Sequence, residues 1–422
     1  MIRMFDLKRR STKHGPAGTL LRLMAYMGPA LIVSVAYVDP GNFATDIATG
    51  TNTGYVLLWV VWAAGLAAML LQYLSGKLGI ATGKSLPELV GQSLKRRRYI
   101  IPYWLGAEAA SASVDLAEFL GTALALNLLF GVPYLEASLI GVFDVFLLIY
   151  LTKKGRRRVE KAFMLFVGMI SIGYLYEMFL SRPNLQYVVA GSIFPSMSSE
   201  YAVFVVSIIG ATVMPHVLYL HSDLTRNKLR SSDAAEKREM LRFHKYDTVI
   251  FLTVASFVNA AILIMAAGSF YSRHLTFVMT INSAYATLKP LFGPVAGYAF
   301  VATLLCSGLS SSTTGTLAGQ SVMEGLLGRK VNPWKRRLVT RVVNVFPTTV
   351  AILLGFNPFF ILFYSQVVLS LMIPLPMIPL ILYSADRKLM GPFANRKITT
   401  LLATTAASAI ILFNAYYIIT TF

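Results

Sequence analysis

The chain has 422 residues, of which 56% are hydrophobic and 14% charged, and its mean hydropathy is +0.62. That balance is far too apolar for a soluble globular domain and marks an all-α polytopic membrane protein. The 38 Lys and Arg outnumber the 19 Asp and Glu, but they fall in short clusters between apolar segments, a topology signal that excludes a nucleic-acid patch.

A single cysteine, Cys306, excludes an intrachain disulfide and a cysteine-based metal site. The basic Lys8-Arg9-Arg10 precedes the first long span without a short apolar region and small-residue cleavage site, so no cleaved signal peptide is expected.

Eleven apolar segments are long enough to cross a bilayer. They run over about 20–50, 54–78, 100–130, 134–152, 159–180, 200–223, 246–271, 284–325, 338–356, 359–384 and 398–421. Between the second and third, Ser85-Leu86-Pro87-Glu88 has an N-cap serine, an early proline and a glutamate at the third helical position, the pattern of a short cytoplasmic helix. The eighth segment is overlong, and its Ser310 to Gly315 run of small and hydroxyl residues suits close helix packing.

Orientation follows from the basic residues. The N-terminal tail and the alternate loops, with the span ends that flank them, hold all but three of the 38. Only Arg182, Arg273 and Lys289 lie on the other side. The positive-inside rule then places the N-terminus in the cytoplasm and the C-terminus outside, in the cell inner (plasma) membrane.

The first segment is interrupted by Asp39-Pro40-Gly41-Asn42, a carboxylate and two helix breakers. Broken backbone at membrane depth survives only where it is buried in protein or lines a cavity. The sixth is interrupted at Gly210 to His216, with Met214-Pro215 at its centre. Paired breaks in matching positions point to an inverted-repeat transporter with its site at the midplane. Five spans per half force the second half to enter from the opposite side. One transmembrane domain over 1–422 is expected, with repeats at about 20–180 and 200–384 and an extra helix at about 398–421.

The first break offers the Asp39 carboxylate, the Asn42 amide oxygen and a freed carbonyl such as that of Ala36; the second offers the Met214 thioether and the Ala211 carbonyl. Oxygen alone suits magnesium and calcium, whereas a sulfur ligand tips the site toward transition metals. Each piece has a plainer alternative: an intramembrane Asp can lock helices together, and a lone Met usually fills core gaps.

The third segment adds Glu108, Asp115 and Glu118, whose spacing puts them on one helical face, where they can bind a second cation or pass protons. His216, beside the second break, titrates nearest neutrality and suits a relay, although it and His221 can equally bond to a neighbouring helix. Lys228, Arg337 and Arg341 are candidate counter-charges at the cytoplasmic ends. Ser365-Gln366 precedes three prolines in the tenth segment, and Gln366 has an amide oxygen to offer.

At these residues the sequence resembles the NRAMP family of proton-coupled divalent metal transporters, and is most similar to its bacterial manganese-importing branch. The likeness lies in Asp39-Pro40-Gly41-Asn42-Phe43-Ala44-Thr45, the run from Met214 to Ser222, Asp115 to Phe119, Gly315 to Gln320 and Ser365 to Ser370. It implies a LeuT-like fold of two inverted five-helix repeats plus an eleventh transmembrane helix, with helices 1 and 6 broken. It implies metal held by Asp39, Asn42, Met214 and the Ala211 carbonyl, with Ala36 and Gln366 joining in some conformations. It also implies a proton route through Asp39, His216, Glu118, Asp115 and Glu108 toward basic partners. Lys228 stands where the family more often has arginine.

The expected cargo is Mn2+, with Fe2+ in addition, moved into the cytoplasm with H+, and no prosthetic group. The alternative on the same architecture is a sodium-coupled symporter of a small organic solute, whose anionic end Asp39 would repel. An intramembrane metalloenzyme lacks its usual H-E-x-x-H pair, so no enzyme is expected.

Overall fold

The computed structural model describes residues 28–141, 156–228, 233–275, 281–329 and 352–421, together with single positions between 332 and 350. All regular structure among them is helical. Among the described residues eight helices are long and apolar enough to cross a membrane, and they match the expected spans two, three, five to eight, ten and eleven. Span one is broken into pieces too short to cross alone, and much of spans four and nine lies outside the described residues.

The first span divides into α1 (Pro29–Ala36) and α2 (Pro40–Thr53). Asp39, which precedes a proline and so avoids the helical region, is extended at φ −87° and ψ 168°. Its side chain caps α2, accepting the Asn42 N–H at 2.7 Å. At its other end α1 is capped from a distance: Asp247 accepts the Ala30 N–H at 2.9 Å and the Gly28 N–H at 3.3 Å.

Next come α3 (Leu58–Thr82), the short α4 (Leu86–Leu94) and α5 (Arg97–Phe130). Ser85 caps α4 by accepting the Glu88 N–H at 3.4 Å, as its sequence pattern requires. Of the fourth span only α6 (Tyr134–Gly141) is described. The first half ends with α7 (Arg156–Leu180), followed by the exposed α8 (Leu185–Ile193).

The sixth span divides into α9 (Ala202–Val213) and α10 (Pro215–Arg226). Met214 joins them at φ 42° and ψ 101°, a left-handed conformation that costs a non-glycine residue about 1–3 kcal/mol. Beyond lies α11 (Ala234–Ser269). The overlong eighth segment is two helices, α12 (Ile281–Phe292) and α13 (Pro294–Leu327), divided at Gly293-Pro294. Gly293 sits at φ 91°, open to glycine, and Pro294 starts the new helix at its first position. The tenth span is α14 (Pro358–Met372) and α15 (Pro374–Ala385), separated where Pro374 removes a backbone donor. After the short α16 (Arg387–Met390), α17 (Lys397–Thr421) closes the chain.

The small-residue run performs the packing its composition suggests. α13 lies against α5, and a Cβ placed on Gly315 would stand 2.9 Å from a Glu118 carboxylate oxygen. One turn further along α5, Gly121 leaves room for the Pro40 ring, which a Cβ there would overlap. The Phe43 ring fills the gap between α2, α7 and α13, edge-on to Tyr174 at 5.2 Å and to Phe300 at 4.9 Å between centroids. The two breaks are thereby fixed beside each other in the centre of the bundle.

Candidate metal site

Both breaks follow one rule of backbone chemistry. In a helix the Ala36 carbonyl would accept the N–H of residue 40, and the Ala211 carbonyl that of residue 215; both positions are proline, which has no N–H to donate. Each break therefore frees one carbonyl at a matching place. The structure brings the second of these directly to the first break, where Asn42 Nδ2 donates to the Ala211 carbonyl at 2.9 Å.

Asn42 is the link between the halves. The same Nδ2 donates to Asp39 Oδ1 at 2.9 Å, while Asn42 Oδ1 accepts from Asn259 Nδ2 on α11 at 3.1 Å. Asp39 and Asn42 are each 1% exposed, and Met214 is fully buried. Among the described residues Asp39 Oδ2 has no hydrogen-bond partner. A buried carboxylate oxygen left without a donor is costly unless a cation fills the place.

Gln366 on α14 approaches both breaks. Its side-chain amide lies where a Cβ on Gly41 would be, and its backbone carbonyl where a Cβ on Gly210 would be. Its Nε2 donates to Ser365 Oγ at 2.9 Å, leaving Oε1 buried and unpartnered. The groups brought together here are the Asp39 carboxylate, the Asn42 and Gln366 amides and the Ala211 carbonyl, with Met214 next to them in sequence at the second break; carboxylate, amide and carbonyl oxygens with a thioether are a set that can hold a divalent transition metal.

His216 is in the first turn of α10, two residues beyond Met214, and both its ring nitrogens are buried without a hydrogen-bond partner. His221 behaves differently: its Nδ1 pairs with Gln72 Oε1 on α3 at 3.0 Å, a helix–helix bond. Glu118 and Asp115 are buried on α5, one turn apart. Glu108 lies ten residues before Glu118, about 15 Å along the helix, and is ion-paired with Arg336. Lys228 is partly buried just past the end of α10. Arg337 and Arg341 lie outside the described residues.

Sequence reasoning passed over Asn259, Asp247 and Arg336, together with the buried Asp46 and Glu177. For the acids the available signal was the rarity of carboxylates within apolar spans. Arg336 lies in a basic run, and only tertiary structure shows that it pairs with Glu108.

Two broken helices facing each other across a buried polar cluster, within a bundle of membrane-spanning helices, mark the chain as a membrane transporter. The family profile described as "Natural resistance-associated macrophage protein-like" matches residues 30–420, and the chain belongs to this NRAMP family. It is 41% identical over 417 residues to the "Divalent metal cation transporter MntH" of Deinococcus radiodurans, covering 97% of this chain and 94% of the relative. It is likewise 41% identical to the protein of that name in Chromohalobacter salexigens, over 94% of this chain and 92% of the relative. Among solved structures, a mutant of the manganese transporter of Eremococcus coleocola superposes with a TM-score of 0.85 at 31% identity, covering 97% of this chain and 88% of that one. MhsT in complex with L-phenylalanine superposes with a TM-score of 0.63 at 14% identity, over 94% and 98% of the two chains. The fold is the expected LeuT-like one, two inverted five-helix repeats with an eleventh helix.

Proposed function

We propose that this chain carries divalent transition-metal ions, manganese foremost and ferrous iron in addition, into the cytoplasm together with protons by alternating access. The observation that carries the reading is the convergence of Asp39 and Asn42 with Ala211 across the two breaks, with Met214 at the second. Asp39, Asn42, Met214 and the Ala211 carbonyl hold the ion, and the Ala36 carbonyl and Gln366 join as the half-helices move. The names of the relatives, divalent metal cation and manganese transporters, support this cargo.

Protons pass from Asp39 by way of His216 and the acidic face of α5, Glu118, Asp115 and Glu108, toward Arg336 and Lys228 at the cytoplasmic side. The orphaned ring nitrogens of His216 support its place in that route. The N-terminus is cytoplasmic and the C-terminus outside, as the loop charges require.

The fold it shares with MhsT keeps an organic-solute symporter as the rival reading. Uptake of Mn2+ into proteoliposomes under an imposed pH gradient separates them. Wild type accumulates metal in proportion to the gradient and Asp39→Ala does not. Equal metal flux in the two, or stabilisation by amino acids and not by Mn2+, would overturn the assignment.

A further inference from the structure

Where the ends of α2, α7 and α11 meet α8, on the side of the bundle away from the basic loops, lies a cavity of about 650 Å³. Its walls include Thr53 and Tyr55 at the end of α2, Arg182 just past α7, Tyr187 on α8, Phe194 beyond it, and Tyr271 after α11. Ligand sites usually enclose about 300–1,000 Å³.

Close contacts hold these walls in place. Gly191 lets α8 come down on the Tyr55 carbonyl, which a Cβ would meet at 2.0 Å, and Gly54, at φ 61°, lies against the Tyr271 ring. Gly268 brings the end of α11 against Ser181 at the end of α7. Two indoles pin α8 and the residues after it: Trp59 Nε1 donates to the Ser196 carbonyl at 3.2 Å and Trp62 Nε1 to Ser192 Oγ at 3.1 Å. The pocket is therefore formed before any ligand enters it.

Its chemistry is one cation among aromatic rings. Arg182 is the charged residue of the lining, and no carboxylate lines the cavity with it. Among the described residues its guanidinium has no ion-pair partner. The backbone holds Arg182 at φ 48°, a left-handed conformation unfavourable to a residue with a Cβ. Arg273, expected on the same side, is otherwise engaged, its guanidinium 5.5 Å from the centroid of the Phe292 ring.

The surface that leads to Arg182 faces lipid. On α7 the exposed Leu165, Met169, Ile172, Tyr176 and Phe179 recur at spacings of four and three, an apolar stripe along a spanning helix. Arg182 follows the last of them by three residues. Beyond it α8 has no buried residue, and Leu185 and Phe194 are 72% and 70% exposed. Tyr55, Trp59, Trp62, Tyr187 and Tyr271 gather at this end of the spans, the residue types that mark the level of lipid headgroups.

We propose that this cavity binds the headgroup of an anionic glycerophospholipid, its phosphate on Arg182 and an acyl chain along the exposed stripe of α7. A guanidinium matches a phosphodiester in charge and in its paired donors. Asn184 adds a further donor, since its Oδ1 is spent on accepting the Gln186 N–H at 3.0 Å and its Nδ2 remains. With no carboxylate in the lining, a choline or ethanolamine ammonium finds no counter-charge, so a headgroup of net negative charge, such as glycerol phosphate, is preferred. The site lies apart from the two breaks and requires only that the chain spans a bilayer, whatever ion it carries.

The test is native mass spectrometry of the purified full chain in detergent, titrated with dioleoyl phosphatidylglycerol or dioleoyl phosphatidylcholine. Wild type holds phosphatidylglycerol at least about tenfold more tightly, the factor expected for a charge-assisted hydrogen-bonded pair. Arg182→Gly, which a backbone at φ 48° accepts freely, brings the two lipids level, while Arg273→Gln keeps the wild-type preference. Wild type alone supplies a second reading if the variant does not fold: nanodiscs of phosphatidylglycerol slow hydrogen exchange in a peptide covering residues 185–196 relative to nanodiscs of phosphatidylcholine. Equal affinity of wild type for the two lipids, a preference that survives Arg182→Gly or is lost equally in Arg273→Gln, or equal exchange in both discs would overturn the assignment. Displacement of the lipid by soluble glycerol phosphate at equal concentration would show a pocket for the free anion and overturn it as well.

Discussion

Replacing Asp247 by alanine is expected to loosen α1 from the bundle. The helix has only eight residues, too few to be stable by itself in the absence of tertiary support. Its N-terminal amides are held by the Asp247 carboxylate, at 2.9 Å for Ala30 and 3.3 Å for Gly28, and at its other end Pro40 gives the Ala36 carbonyl no helical donor. Hydrogen bonds to a buried charged acceptor contribute about 1.5–3 kcal/mol, and a carboxylate at a helix N-terminus adds about 0.3–1 kcal/mol through the helix dipole. The sum, about 3 kcal/mol, corresponds to an opening equilibrium on the order of a hundredfold larger. Hydrogen exchange read by mass spectrometry on a peptide covering residues 28–36 should show protection falling by that factor, while peptides in α5 and α13 keep theirs. Asp247→Asn retains one acceptor oxygen and should fall in between. Exchange within twofold of wild type in a folded Asp247→Ala protein would refute the idea that this carboxylate anchors the half-helix.

Two further changes probe the breaks themselves. Met214→Gly removes the thioether and relieves a backbone at φ 42°, worth about 1–3 kcal/mol, but it also empties a fully buried position, which costs about 2–5 kcal/mol, so thermal stability should fall modestly while Mg2+ and Ca2+ begin to compete with Mn2+ in uptake; unchanged competition would leave Met214 as packing. Gly121→Ala drives a methyl group into the Pro40 ring and should cost about 1–3 kcal/mol in stability, with transport reduced; a thermal midpoint and flux both equal to wild type would show that α5 yields freely there.

Much of the architecture is legible in the chain because the relevant signals are local. Apolar length, alternating loop charge and helix-breaking pairs each report on a short stretch, and the two breaks announce themselves as Asp39-Pro40-Gly41-Asn42 and Met214-Pro215. The same logic extends to α4, whose N-cap serine and third-position glutamate need no partner elsewhere. What escaped is tertiary. Asn259 reads as one polar residue in an apolar helix, and nothing nearby says that it donates to Asn42, 217 positions away. Arg336 is one basic residue in a basic run, and nothing local marks it as a partner of Glu108. The eighth segment was misread as one long span because Gly293-Pro294 interrupts hydropathy too briefly to register. Asp46 and Glu177 are visible in the sequence as acids within apolar spans, but that both are buried is a tertiary fact.

The hydrogen bonds at the breaks bear on how a transported ion can be both caught and released. Asn42 Nδ2 bridges Asp39 Oδ1 and the Ala211 carbonyl, each at 2.9 Å, so two of the proposed ligands are engaged by an amide N–H from a third. A cation that recruits all three must displace those bonds and take the Asn42 oxygen from Asn259. Each neutral bond given up returns about 0.5–1.5 kcal/mol to the unbound state. These internal bonds lower the affinity of the proposed site relative to a cage of fixed, unpaired ligands. For a transporter that is the useful direction, since binding must be strong enough to admit the ion and weak enough to let it go. The unpartnered Asp39 Oδ2 is the exception, and it marks the atom at which an arriving cation meets no competitor.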